Sequence, residues 1–588
     1  MLKASRSIAL FAGLLFLNCF APVLRAADVT PPGGVDVPDW ALGALSFRQL
    51  GSSLEKTGAY ANNLLPNSAE LAKQIIMGGL FKLPINSGIK NGTAMIFVLD
   101  PIATGVKEEL AFILPVGDAA VIKKAFIDTY GAPAEKDGVM TFTLPQPLPQ
   151  PDKILLAKLV QDRLLLGPND IVIKKLENYV DGKTDAMLSG AGTSDATLAI
   201  KIANIKRAFG QTAEMGLALL AQLAGPGRAD ETGAATELLQ KIWQLDVVEV
   251  RLELNAAGTN GTLEFLAGPQ KGTPLAQQLA ESGKPVTENA LRTMPATSAL
   301  FATWNINGLE MMKTFKPTVR PGNDDTSKAM SELELALVDF IQLVDGQSGV
   351  SVALAPDNSP LTLIAVQSSN GKLFHEGVKG LWEKWQKVVK EVARAEAQTP
   401  GTHLQWKFKD SKDTYAGVTI HSFQAALENL DPEAQMVLQS AAGWPPTIRH
   451  ALVGEKAFFT IGKDGLDAIK QAIDREKNGP APSAESLRAL LASEPRFAGA
   501  ITTTNLARLI FANVPLSPKI SLDRLTRGLT DTPIAISGKA DKFLYLRAEV
   551  PIAAADAVGT IFQRLENVSF KFDPPALKGG DAPAPPPP

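Results

Sequence analysis

Lys158-Leu-Val-Gln-Asp-Arg-Leu-Leu-Leu-Gly-Pro-Asn-Asp-Ile-Val-Ile-Lys-Lys-Leu176 decides the fold. An apolar run stops at the polar Gln161-Asp162-Arg163, and a second apolar run follows. Gly167-Pro-Asn then opens a segment whose apolar residues recur at helical spacing. The stretch reads as strand, turn, strand, glycine, helix. A second copy lies downstream, Leu452-Val-Gly-Glu-Lys-Ala-Phe-Phe-Thr-Ile-Gly-Lys-Asp-Gly-Leu-Asp-Ala-Ile-Lys-Gln-Ala-Ile473. Gly454-Glu455-Lys456 replaces the first polar turn, and Gly462 stands for Gly167. Pro168-Asn169-Asp170 becomes Lys463-Asp464-Gly465, which keeps the turn and discards any fixed ligand chemistry.

Outward from this pair, two similar halves are expected. In the first, Trp40 to Phe47, Thr93 to Leu99, Glu109 to Pro115 and Val139 to Leu144 read as strands, and Asp118 caps a helix. Thr197 to Ile202 is a strand, and Asn204 is expected to cap a long helix reaching Leu223. Hairpin Val247 to Leu266 and helix Pro274 to Ser282 close the half. The order restarts at Leu300 to Trp304 and ends at helix Ala553 to Leu565. Gly92 aligns with Gly349, Asp100 with Asp357, and Asn204 with Asn505. Strands joined by hairpins point to antiparallel sheets. The expected class is α+β, with two tandem duplicated halves, each a mainly antiparallel sheet with helices on one face. The divisions are a signal peptide at 1–26, a linker at 27–38, half one at 39–283, a linker at 284–296, half two at 297–572 and a Pro-rich disordered tail at 573–588.

The first residues carry an export signal. Lys3 and Arg6 precede an apolar core from Ile8 to Leu17, and Leu24-Arg-Ala26 suits cleavage before Ala27. Lipidation at Cys19 would want a small residue before it, and Asn18 stands there, so ordinary cleavage is expected. The mature chain then has no cysteine, which excludes disulfides, thiolate metal sites and a cysteine nucleophile. Without residues 1–26 the chain holds 55 basic and 61 acidic residues, a balance with no general attraction for nucleic acid. No later run is long enough to span a membrane; Gly216 to Gly225 is expected to be a buried helix.

Familiar catalytic motifs are missing. Gly182-Lys183-Thr184 resembles the end of a phosphate loop, but Glu177 stands where its first glycine belongs. Ser-x-x-Lys occurs at Ser53, Ser87 and Ser369, a pattern that can activate a serine but also arises by chance in a long chain. The four histidines, His375, His403, His421 and His450, all lie in the second half. His421 and His450 sit on strands that could be neighbours, as a metal or acid–base pair or as core residues. Their counterparts fall near Phe142 and Ala157, so the repeat does not need them. The helix from Gly380 presents Trp382, Trp385, Val389 and Val392 on one face. That face can pack on its own sheet or dock a partner. Trp382, Trp385, His421 and His450 are the candidate binding residues; no catalytic residue, metal or cofactor is assigned.

The repeated modules, with Leu164-Leu-Leu-Gly-Pro168 and Phe459-Thr-Ile-Gly-Lys463 before a helix, resemble an uncharacterised family of predicted exported bacterial proteins. The resemblance covers the modules and not the linkers, and it implies an exported repeat protein without supplying catalytic residues. The expected function is an exported, periplasmic or extracellular, cell-envelope binding or scaffolding protein without enzymatic activity. Its partner would be an envelope protein, and no nucleic acid. The alternatives are a periplasmic carrier of an apolar small ligand such as a lipid, and a hydrolase with scattered catalytic residues.

Overall fold

The computed structural model describes residue 32 and residues 34–566, except 81–87, 108, 145–152, 191–193, 225–235, 237–238, 281–284, 288–297, 306, 309–324, 356–359, 398–404, 429–446, 463–464, 480–494, 512–524 and 541. The expected leader with Cys19, the tail from residue 573, half of the first expected linker and most of the second, Ser87, Asp357, His403 and Trp444 lie outside the described residues.

The first ten strands are β1 (Ala41–Phe47), β2 (Ala94–Leu99), β3 (Leu110–Pro115), β4 (Ala134–Lys136), β5 (Val139–Leu144), β6 (Lys153–Val160), β7 (Arg163–Gly167), β8 (Ala196–Lys201), β9 (Leu245–Leu254) and β10 (Asn260–Pro269). The next ten are β11 (Leu300–Asn305), β12 (Gln347–Leu354), β13 (Pro360–Gln367), β14 (Gln405–Tyr415), β15 (Val418–Glu428), β16 (Thr447–Val453), β17 (Lys456–Ile461), β18 (Phe497–Thr502), β19 (Pro533–Ala540) and β20 (Leu544–Pro551). All twenty join one antiparallel sheet. From one edge the order is β4-β5-β6-β7-β3-β2-β1-β8-β9-β10. It continues from β10 through β20-β19-β18-β11-β12-β13-β17-β16-β15 to β14. Thus every strand on one side of the β10–β20 joint has, at the same distance on the other side, the strand ten numbers later. At the joint itself Asn260 pairs with Pro551 and Ala267 with Leu544. Glu264 lies opposite Arg547, 3.5 Å away, and accepts a 2.7 Å hydrogen bond from Tyr545 Oη.

The helices are α1 (Leu50–Leu64), α2 (Ala69–Gln74) continued by a π-helical turn (Ile75–Leu80), α3 (Pro101–Thr104), α4 (Ala119–Tyr130), α5 (Asp170–Val180), α6 (Asp185–Ser189) and α7 (Ile202–Ala224). Then follow α8 (Pro274–Ala280), α9 (Asp325–Leu343), α10 (Gly371–Ala397), α11 (Gly465–Asn478), α12 (Thr503–Phe511) and α13 (Ile552–Glu566). They cover both faces of the sheet, which corrects the expectation of one. In β7, Leu164 and Leu166 pack with Leu50 of α1 and with Ile122 and Phe126 of α4, while Leu165 packs with Val172, Ile173 and Leu176 of α5 on the opposite face. In β17, Ala457 and Phe459 join the core under α9 and α10, and Phe458 joins Ile469, Ala472 and Ile473 of α11. Strands apolar at every position, rather than at alternate ones, have no face to give to water. Leu164-Leu-Leu166 already carried that message.

Several local expectations also change. Asp118 does cap α4, accepting from the N–H groups of Ala120 and Val121. Asn204 does not cap α7: it is buried inside the first turn and donates to the carbonyls of Ala41 and Pro38, fastening the helix to β1. Asn505 likewise lies inside α12. Residues 214–219 of α7 are not buried together, for Met215 is 61% and Leu219 56% exposed. Among the described residues no helix is long and apolar enough to cross a membrane.

The quoted stretch itself shifts in register. Val160 pairs with Arg163 around one turn, and Val453 with Lys456 around the other. Counting from those pairs, Thr460 and not Gly462 holds the place of Gly167. The close approach of strand and helix is met differently in each of the two stretches. A Cβ on Gly167 would lie 2.9 Å from Val172 Cγ1 of α5. In the downstream stretch the strand carries Thr460, and the space is made on the helix by Gly465, whose Cβ would lie 2.5 Å from Thr460 Oγ1. Gly462 serves another need, a backbone φ of +138°, which L side chains avoid.

Candidate functional site

Helix α10 brings the candidate residues together. Its apolar stripe Phe374, Val378, Leu381, Trp385 and Val388 repeats every three or four residues and is buried against α9 and the sheet. Phe374 stacks on Phe340 of α9 with centroids 5.5 Å apart. On the outer side Lys384 and Lys387 both reach Glu332 of α9, at 2.7 and 2.9 Å, and hold its carboxyl down at about 2.

Beneath α10, His421 of β15 lies directly opposite His450 of β16. Cross-strand partners point to the same face of a sheet, and here the two rings stack 4.7 Å apart and within 4° of parallel. Trp382 meets His450 edge-on at 4.5 Å and lies 5.4 Å from Trp385, which meets Phe423 edge-on at 5.1 Å. All four candidate residues thus belong to one aromatic cluster, completed by Phe408 and Phe459. Through the ladder to β16, His421 holds the place of Met140, which pairs with Ala157, rather than that of Phe142.

His450 is 5% exposed, and its Nδ1 has no hydrogen-bond partner among the described residues. Burial, and then the neighbouring His421, push its imidazole down to about 3. Burial and the Lys412 ammonium lower His421 as well, opposed by the Asp410 carboxylate. Both rings are therefore neutral at pH 7, and a general base or acid with so low a pKa as that of His450 would be mismatched to reactions there. Parallel rings also aim their lone pairs side by side rather than at one point. Among the described residues no set of three His, Cys, Asp or Glu side chains is placed to hold a metal ion. What the arrangement does is pack: its aromatic surfaces fix α10 to β15 and β16.

The remaining motifs are used structurally. Lys183 donates to Asp36, 2.9 Å away, and lies 3.6 Å over the Tyr179 ring, while Thr184 caps α6. Ser53 Oγ donates to the Asp195 carbonyl and Lys56 pairs with the Asp195 carboxylate at 2.8 Å, so neither is poised to activate the other. Ser369 Oγ donates to Asp345. His375 Nε2 lies 3.1 Å from the Gly454 carbonyl at the surface.

No family model, curated protein or solved structure matches this chain.

Sequence reasoning passed over two polar centres. Asp100, fully buried, caps α3 through Ile102 and Ala103 and is gripped by Arg207 of α7. Burial raises its pKa, but Arg207 and the two N–H groups outweigh it, so the net shift is downward. Asp195 accepts from Lys56 and from the Leu254 N–H, tying α1 to β9. The Asp100-Pro101 pair was a visible signal for the first, since aspartate before proline is a helix start. Nothing local marks the second.

Proposed function

We propose that this chain is an exported bacterial cell-envelope protein with a binding or scaffolding role and no enzymatic activity, made of two duplicated halves. Export rests on the leader-like residues 1–26. Duplication is supported by the strand order, which repeats with a displacement of ten about the β10–β20 joint. The observation that carries the function is the sheet. Twenty strands about 4.8 Å apart extend over roughly 90 Å along the sheet, and helices brace both faces. Such a body is suited to spacing and presenting partners along its length. The four candidate residues support this reading by contributing to rigidity, since Trp382 and Trp385 of α10 join an aromatic cluster with His450 and, through it, His421 on the strands beneath.

The mature chain, tagged and used as bait in an extract of its own cell envelope, is expected to retain a stoichiometric protein partner after cross-linking. Recovery of the bait alone, at several salt concentrations, would overturn the binding role. The exposed apolar side chains of α7, Phe209, Met215 and Leu219, favour a second reading, a carrier of an apolar ligand such as a lipid. Native mass spectrometry of freshly purified protein separates the two, because a carrier arrives with an added lipid mass.

A further inference from the structure

The two ends of the sheet are unlike. At one end β4 has only three residues, a common way of blunting an edge. At the other, β14 has eleven, Gln405-Trp-Lys-Phe-Lys-Asp-Ser-Lys-Asp-Thr-Tyr415, and among the described residues β15 is its only strand neighbour. Lys409, Asp410, Lys412 and Asp413 are exposed on this edge. Edge lysines ordinarily repel a neighbouring strand. Here the order of charges reverses their effect. When β14 is laid antiparallel to itself about Ser411, Lys409 faces Asp413 and Asp410 faces Lys412, each pair occurring twice.

We propose that β14 is a docking edge for a second copy of this chain, pairing antiparallel about Ser411 so that two twenty-stranded sheets become one. The faces agree. Lys412 lies opposite His421 and Asp410 opposite Phe423 on the α10 side, so the two Asp410–Lys412 pairs form there. Tyr415 packs towards α11 on the other side, and the two Lys409–Asp413 pairs share its face. The register is selective. A shift that centres the strand on Lys412 sets Lys412 opposite itself and leaves no Lys–Asp pair, and one centred on Asp410 sets Asp410 opposite itself and leaves only the two Lys407–Asp413 pairs. A slip by a single residue turns every side chain to the wrong face. The molecule already uses this device once, where edges β10 and β20 meet with Glu264 opposite Arg547. Edge pairing of this kind takes affinity from backbone hydrogen bonds and specificity from side-chain pairs.

Sedimentation velocity of the mature chain, from about 1 to 100 μM in low salt, is expected to show a monomer passing to a dimer, with weaker association at high salt. Lys409→Asp sets Asp opposite Asp413 twice and is expected to weaken the dimer about tenfold. The double exchange Lys409→Asp with Asp413→Lys restores opposite charges and is expected to restore the dimer. Both positions are exposed, so the circular dichroism of each variant should match the wild type. A wild-type chain that stays monomeric across the range overturns the proposal. So does a Lys409→Asp variant that dimerises as well as wild type, or a double exchange that fails to rescue it.

Discussion

His450 makes the second half of the molecule sensitive to acid in a way that can be calculated. Its pKa is held at about 3 in the folded chain, against about 6.5 for an ordinary histidine. Above pH 6.5 the ring is neutral whether folded or unfolded, and its burial carries no protonation penalty. As the pH falls below 6.5 the unfolded chain binds a proton that the folded chain refuses. The stability is therefore full above pH 6.5 and is lost progressively down to about pH 3. At pH 4.5 the gap of about two units corresponds to about 2 to 3 kcal/mol. His450→Leu keeps an apolar side chain of similar size against Trp382 and removes the titration. Urea unfolding followed by tryptophan fluorescence reports mainly the second half, because five of the seven tryptophans lie in it. Between pH 7 and 4.5 the wild type should lose about 2 to 3 kcal/mol more than His450→Leu, whose other acid-sensitive groups are unchanged. Equal losses in the two proteins, or a His450 pKa near 6.5 by NMR, would refute the reasoning.

Three other perturbations follow from the packing and the buried charges. Trp385→Ala should destabilise the second half by about 3 to 5 kcal/mol in urea unfolding, since the ring fills the space between α10 and Phe423. Gly167→Ala should cost about 1 to 3 kcal/mol by thermal unfolding because its methyl group meets Val172, and adding Val172→Ala should recover most of that loss. Asp100→Asn should cost about 2 to 3 kcal/mol, leaving Arg207 without its carboxylate. Because the Asp100 pKa is lowered on folding, its contribution in the wild type is present above the ordinary carboxylate value and fades as the pH falls through the folded one. The variant should show a smaller acid loss than wild type over that range.

The sequence disclosed the modules more readily than their assembly. Lys158 to Leu176 gave strand, turn, strand and helix correctly because each is set by neighbouring residues: β7, the left-handed Gln161 turn and α5 all appear. Asp118 was legible as a cap for the same reason. The two-faced burial of β7 was written in Leu164-Leu-Leu166 but was read as one face, since hairpins suggested a half-solvated sheet. The juxtaposition of His421 and His450 was legible as a possibility. The lowering of their pKa was not, because it follows from burial in the folded chain, deepest at His450 against Trp382. Asn204 misled because a cap and an anchor to β1 use the same side chain, and only the tertiary contact to Ala41 and Pro38 decides between them. The β10–β20 joint had no local signal at all: Tyr545 and Glu264, which hydrogen-bond there, are 281 residues apart.

That joint also gives the most direct test, because the proposed scaffolding role depends on strands β1–β10 and β11–β20 forming one sheet. Leu263 and Ala548 are directly opposed across it, at the separation of antiparallel neighbours, which a disulfide can span. The sole native cysteine, Cys19, falls in the expected leader. Leu263→Cys combined with Ala548→Cys in the mature chain should therefore form an intramolecular disulfide under mild oxidation, seen by intact mass and by a shifted mobility in non-reducing gels. A pair that stays reduced, while the variant folds like wild type, would contradict the single continuous sheet.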